Sequence, residues 1–117
     1  MIRQNNDNGS VVVSTSVYTD IAGTAATNCF GVKGMAARSV KDGFYHLLRK
    51  ESAAKGVNVV FHEDDSISID LHIMVDNGVN LNAVGASIIS EVRYVVTQHT
   101  GTEVREVNVY IDSMMIG

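Results

Sequence analysis

The chain has 117 residues, of which 45% are apolar and 19% are charged, so it has room for one globular domain with one core and is not disordered. Its net charge of −4 disfavours nucleic acid and acidic substrates as partners. The single cysteine, Cys29, excludes an internal disulfide and a cysteine-rich metal site, and it fits a reducing compartment.

The first half of the chain predicts a tail, a strand and two helices. Residues 1–9 are polar and are expected to form a flexible tail, followed by a short strand over residues 10–14. Small apolar residues on one face predict a helix over residues 17–29. A second, amphipathic helix is predicted over residues 38–52. Its apolar stripe consists of Val40, Phe44, Leu47 and Leu48.

The second half of the chain predicts a hairpin, a third helix and a last strand. Apolar and polar residues alternate over 57–61 and again over 67–75, which indicates an antiparallel hairpin with one buried face. A third helix is expected to begin at Asn80 or Asn82 and to end near Gly101. Gly85 falls in its apolar stripe, and we expect it to lie against the sheet. The apolar residues of the last strand are Val107, Val109 and Ile111.

These elements define an α+β fold, in which the order β-α-β-β-α-β carries one extra middle helix. The economical arrangement is a two-layer sandwich, with the helices on one face of an antiparallel sheet. Residues 10–112 are expected to form a single domain, and residues 113–117 a C-terminal tail. No stretch approaches the ~20 apolar residues that span a bilayer, so a cytoplasmic protein is expected, with membrane contact through a partner.

Residues that commonly carry catalysis or bind metals do not form recognisable sites in this sequence. His62 and His72 fall on the same face of the predicted hairpin, but its register separates them by roughly 13 Å, too far for one shared ion. Cys29 lies on an apolar helix face with no base beside it. The exposed sheet face is acidic and is expected to lack the aromatic pair that RNA-binding sheets use. No catalytic residue, cofactor or metal site is therefore expected.

Positive charge is concentrated in the middle of the chain. Residues 33–55 contain six basic and two acidic residues, a net charge of +4, and the other three basic and eleven acidic residues give −8. A solvated helix face explains this pattern, and so does a docking surface for an acidic protein, a second copy of the chain or anionic lipid. The candidate docking residues are Arg38, Lys41, Tyr45 and Arg49.

Three segments resemble motifs of the alkaline shock protein family, an envelope stress response family of Gram-positive bacteria. They are residues 21–35 (IAGTAATNCFGVKGM), 75–81 (VDNGVNL) and 100–111 (TGTEVREVNVYI), in the family's order and spacing. Residues 40–51 are most similar to its short, YloU-like members. Asn77 and Asn82 stand where the second motif often has an aromatic residue and a proline.

The resemblance implies a non-enzymatic adaptor or scaffold that acts by protein–protein interaction and self-association near the membrane. In some members a separate anchor protein holds the chain there. An alternative is a regulatory subunit that binds a lipid-metabolism enzyme, because short members resemble proteins whose genes neighbour fatty-acid kinase components. An RNA-binding domain is the less favoured alternative.

Overall fold

The computed structural model of the chain describes residues 2–38 and 45–115, which form two α-helices, seven strands and one 3₁₀ helix. The strands of the first half are β1 (Ile2–Asn6), β2 (Gly9–Val13), β3 (Val32–Arg38) and β4 (Tyr45–Leu47). Those of the second half are β5 (Val57–Phe61), β6 (Ile67–Asp76) and β7 (Val104–Met115). The helices are α1 (Thr15–Thr27), the 3₁₀ helix (Lys50–Gly56) and α2 (Leu81–Thr100).

Strand β6 is the centre of a five-stranded sheet. Its first half pairs antiparallel with β5, from Phe61↔Ile67 to Val57↔Leu71, as the predicted hairpin requires. Its second half pairs antiparallel with β3, and β4 extends the sheet beyond β3. β7 pairs with β6 along both halves, so β3 and β5 share the opposite edge of β6.

The sheet is mixed, because β7 runs parallel to β6; the predicted fully antiparallel sheet is wrong in this respect. The cause is α2, which has 20 residues and is long enough to return the chain to the start of β6 before β7 begins. The α+β class is confirmed, and both helices pack on one face of the sheet.

The core lies between that face and the two helices. The alternate residues of β6 point into it, as the period-two pattern predicts. They are Ile67, Ile69, Leu71, Ile73 and Val75, all without exposed surface. Tyr18 of α1 is also fully buried, packs edge-on against Phe61, and hydrogen-bonds through its hydroxyl to Thr102 Oγ1 at 2.7 Å.

Gly56 occupies the place where β3 and β5 meet on the shared edge of β6. A Cβ atom built on Gly56 would lie 2.9 Å from the Ala36 carbonyl oxygen and 3.2 Å from that of His72. These are backbone atoms of β3 and β6, which cannot turn away as a side chain can. The close approach of three backbone segments therefore requires glycine at this position.

The predicted helix over residues 38–52 is wrong for the described part of that range. Arg38 ends a strand, Tyr45–Leu47 form another, and Lys50–Gly56 form a 3₁₀ helix. Pairing with β3 overrides the helical spacing, because Leu47 lies opposite Ala36 and the Leu48 N–H donates to the Met35 carbonyl at 2.8 Å. Val40, Lys41 and Phe44 lie outside the described residues.

The two ends of the chain are more ordered than the polar composition suggests. Ile2–Asn6 and Gly9–Val13 form an antiparallel hairpin, so the expected flexible tail is wrong for this segment. The hairpin is attached to the rest of the molecule, since Ile2 is buried in the core and the Gln4 side chain donates to the Thr100 carbonyl. β7 continues to Met115, opposite Asp76, so residues 113–115 belong to the sheet and not to a tail.

α2 has the caps that the sequence predicts, and Val84, Ile88 and Val92 are buried as expected, but Gly85 is not part of the buried stripe. The Asn80 side chain accepts from the Ala83 N–H at 3.0 Å, and Gly101 ends the helix with a left-handed φ of 71°. The buried stripe is Val84, Ile88, Val92 and Val96. The expectation that Gly85 lies against the sheet is wrong, because a Cβ atom built on Gly85 would meet nothing within 4 Å.

The same substitution at the two glycines should have opposite effects on the free energy of unfolding. Gly56→Ala should destabilise the protein by about 1–3 kcal/mol, because its methyl group has no space between the backbones. Gly85→Ala should stabilise it by about 0.5–1 kcal/mol, because alanine is the better helix former and the space is open. Urea unfolding of dilute protein measures both. A Gly56→Ala variant as stable as the wild type would contradict the shared-edge arrangement.

Candidate docking surfaces

The first two motifs meet at one end of the molecule, where α1 ends and α2 begins. The Asp76 N–H, at the end of β6, donates to the Gly31 carbonyl at 2.9 Å. Gly31 has a φ of +86°, and a Cβ atom there would lie 3.0 Å from Cγ2 of Val84 in α2. Only glycine combines that dihedral angle with so close a neighbour. The turn after α1 is therefore held against both β6 and α2.

Phe30, immediately before Gly31, is the most exposed large apolar residue of the described chain, at 89%. Its ring borders a cleft of about 440 Å³. We call this the Phe30 cleft; it is lined by Phe30, Asn77, Gly78, Val79, Asn80, Ala83, Val84 and Ser87. Burying a phenylalanine side chain is worth about 1.5–3 kcal/mol, so a partner that covers Phe30 gains that free energy.

Sequence reasoning did not single out Phe30 as a candidate docking residue. The available signal was its position: it follows the last turn of α1, outside that helix's apolar face, and directly precedes a glycine. Asn77, where the family often has an aromatic residue, lines the same cleft. The two motifs thus contribute to one surface, although 39 residues, 36–74, separate them in the sequence.

The four predicted docking residues do not share a helix face. Arg38 and Tyr45 are directly opposite each other on β3 and β4, and Lys41 lies outside the described residues. Arg49 is exposed and precedes the 3₁₀ helix. It lines a small cleft together with the exposed Lys33, which the prediction omitted. This cleft adjoins the C-terminal end of α1, where cations also interact favourably with the helix dipole.

The sheet face opposite the helices carries polar pairs. His62 Nε2 lies 2.7 Å from Ser68 Oγ, Asn108 Nδ2 donates to Asp70 Oδ1 at 3.0 Å, and His72 Nδ1 lies 2.9 Å from Asp112 Oδ2. Each pair links neighbouring positions of the sheet. The side chains of these six residues therefore form hydrogen bonds with one another.

The expected lack of an aromatic pair on this face is wrong. The rings of His72 and Tyr110 stack with centroids 4.9 Å apart, because β7 lies beside β6 and places the two residues opposite each other. The register also separates the two histidines further than predicted. The His62 N–H donates to Ser66, six residues before His72, which corresponds to roughly 20 Å along the strand. Among the described residues no group of three or more His, Cys, Asp or Glu could hold a metal ion.

Cys29 is half-buried at the end of α1, and its thiol donates to the Ala25 carbonyl at 3.4 Å. Burial raises the pKa of the Cys29 thiol, and the charge of Glu91 raises it further, while a hydrogen bond with Ser87 acts in the opposite direction. A raised pKa leaves the thiol protonated at neutral pH, and the thiolate is the nucleophile. The surroundings of Cys29 therefore suppress its reactivity.

The described residues thus define a small α+β domain whose prominent surface features are an exposed aromatic residue beside a cleft and a group of cations. Within them, no helix is long and apolar enough to cross a membrane. A family model matches residues 3–116, and the chain belongs to that family, the alkaline shock protein 23 (ASP23) family, which has a cell envelope-related function.

Relatives of similar length support the assignment. The chain is 36% identical to the uncharacterized protein YloU of Bacillus subtilis over 92% of this chain and 90% of that protein. It is also 36% identical to the uncharacterized protein Spy1614 of Streptococcus pyogenes, over 98% of this chain and 95% of that one. The uncharacterized protein YqhY of Bacillus subtilis is 32% identical over 88% and 75% of the two chains. No solved structure gives a significant match.

Alkylation kinetics test the surroundings of Cys29. Iodoacetamide should modify the native protein more slowly than it modifies free cysteine at neutral pH, because the raised pKa lowers the thiolate fraction. Glu91→Gln should speed the reaction by removing a nearby negative charge, whereas Glu103→Gln, beyond the far end of α2, should leave it unchanged. A native thiol that reacts faster than free cysteine would contradict this description.

Proposed function

We propose that the protein is a non-enzymatic adaptor or scaffold of the cell-envelope stress response, which binds other proteins and copies of itself near the membrane. The observation that carries the proposal is the exposed Phe30 beside its cleft. The family's cell envelope-related function supports the setting. A membrane anchor protein is the class of partner that fits both the exposed Phe30 surface and the envelope-related setting.

The Phe30 cleft has the properties of a preformed binding site. The turn that carries Phe30 is fixed by the Asp76–Gly31 hydrogen bond and by the contact of Gly31 with Val84. Because the backbone of this turn is already fixed, burial of Phe30 by a partner costs little backbone conformational entropy. Aromatic residues of this kind contribute much of the binding energy in protein interfaces.

Lys33 and Arg49 supply a second property of the proposed interface, which is specificity for an acidic partner. Lys33 and Arg49 are both exposed and line the same cleft, while the chain as a whole is acidic. Opposite charges across an interface accelerate association and reject partners of the wrong sign. Lipid headgroups alone are a weaker target, since each cation contributes only about 1 kcal/mol at an anionic membrane.

Photo-crosslinking in cells tests the role of Phe30. A photoreactive phenylalanine analogue in place of Phe30 should form discrete adducts with an envelope-associated protein, because that side chain is the proposed anchor. The same analogue in place of Val60, an exposed apolar residue on the opposite face of the sheet, should not. Fluorescently tagged Phe30→Ala protein should also leave the cell periphery. A wild-type distribution of Phe30→Ala, with no adduct specific to position 30, would refute the proposed site.

Charge reversal tests the basic cleft. Lys33→Glu combined with Arg49→Glu should leave the melting temperature nearly unchanged, because both side chains are solvated. It should release the partner that crosslinks at position 30, and salt should weaken the wild-type complex in the same way. The charge-conserving pair Lys33→Arg with Arg49→Lys is the control and should retain binding. If the reversed variant binds as the wild type does, these cations are only a solvated surface.

A further inference from the structure

Strand β7 leaves one edge of the sheet open. β7 has 12 residues and pairs with β6 on one side, and no other strand of residues 2–38 and 45–115 pairs with it. Proteins usually protect such an edge with proline, lysine or irregular strands. This chain has no proline, and β7 has no lysine. The register of β7 against β6 shifts between Val104 and Glu106 and again between Ile111 and Ser113, and its charged residues Arg105, Glu106 and Asp112 lie at or beside these shifts, so the regular open stretch is residues 106–111. The other edge strands, β4 and β5, have only three and five residues.

A groove on the helix side of this edge has room for further side chains. α2 packs over β7, and the two leave a groove of about 420 Å³ between them. Gly85, Ala86 and Ile89 form its helix wall, and Val107, Val109 and Ile111 its floor. The empty space around Gly85 belongs to this groove. A strand added to β7 would direct its inward side chains here.

A partly apolar surface continues from the groove onto the outer side of α2. Tyr94 is 63% exposed there beside Ala86 and Ile89, and Ser90, Arg93, Thr97 and Gln98 add polar groups to the same surface. An extended peptide would cover the edge of β7 and the groove but would leave this helix surface open. A partner that offers a strand and a helix in the same relative arrangement covers both. A second copy of this chain is such a partner.

We propose that two copies associate through antiparallel pairing of their β7 strands about a twofold axis at Asn108. The proposal rests on the self-association proposed above and assigns a surface to it. The axis at Asn108 sets Val107 opposite Val109 of the second copy in the inner layer and Glu106 opposite Tyr110 in the outer layer. The neighbouring register, centred on Val109, would instead oppose Glu106 and Asp112, two like charges that destabilise a strand pair. The twofold also brings the outer sides of the two α2 helices together.

Asn108→Lys tests the interface without removing a core residue. Asn108 points to the polar face and donates to Asp70, so a lysine there retains an acidic neighbour within one copy. In the dimer the two lysines would oppose each other at the axis and should weaken association roughly tenfold. Asn58→Lys, the same change on the same face of β5, should have no effect. Sedimentation velocity over a concentration series measures association, and circular dichroism checks the fold.

A disulfide gives a positive test that does not depend on a destabilising change. In a Cys29→Ala background, Asn108→Cys should form an intermolecular disulfide under mild oxidation, because residues at the axis of an antiparallel pair lie roughly 4.5–5.5 Å apart. Asn58→Cys should associate as the wild type does but form no intermolecular disulfide. If the wild type assembles but Asn108→Lys assembles equally and Asn108→Cys does not crosslink, another surface is responsible and this inference fails while self-association stands. If the wild type stays monomeric at every concentration, both fail.

Discussion

The double pairing of β6 is the constraint on which the rest of the structure depends. One edge of this strand is bonded to β7 along its length, and the other is divided between β5 and β3. The division is possible only because Gly56 lets three backbones meet. The alternate side chains of β6 form the floor on which both helices pack. Strands β3, β5 and β7 and both α-helices are therefore positioned by their relation to a single strand.

This arrangement also determines which surfaces remain available for binding. The end of β6 holds the turn after α1 through the Asp76–Gly31 hydrogen bond, and Phe30 projects from that turn. The parallel placement of β7 makes it the long edge strand and leaves the groove below α2 open. The proposed docking residue and the proposed self-association surface thus lie at different places on the molecule. A copy that is paired through β7 keeps its Phe30 cleft free for another protein, as a scaffold requires.

Periodicity predicted the parts of the fold in which local pattern and tertiary environment agree. The alternation in β5 and β6 and the caps at Asn80 and Gly101 are all found in the structure. The helix predicted over residues 38–52 is wrong because pairing between β3 and β4, which sequence spacing cannot reveal, decides the conformation of the described part of this segment. The expectation for Gly85 is wrong because the buried stripe of α2 runs through Val84, Ile88, Val92 and Val96, which leaves Gly85 beside the stripe and over the groove at β7.

The candidate sites were less accessible to sequence reasoning than the fold. Charge composition identified the basic segment but could not show that Lys33, rather than a helical neighbour, lies near Arg49. The exposure of Phe30 and the stacking of Tyr110 on His72 both depend on contacts between distant segments. Two family motifs meet at the Phe30 cleft, yet turn geometry is enough to explain each motif alone.

Residue-resolved hydrogen exchange of the native protein tests most directly whether β6 is the common support of the fold. The amides of β6 should be the slowest to exchange, and those of β3 and β5 that face it should open together with them in one cooperative unit. Independent exchange of β3, at the rate of a local opening while the β5–β6 hairpin stays protected, would show that the two strands do not depend on a shared edge and would contradict the account.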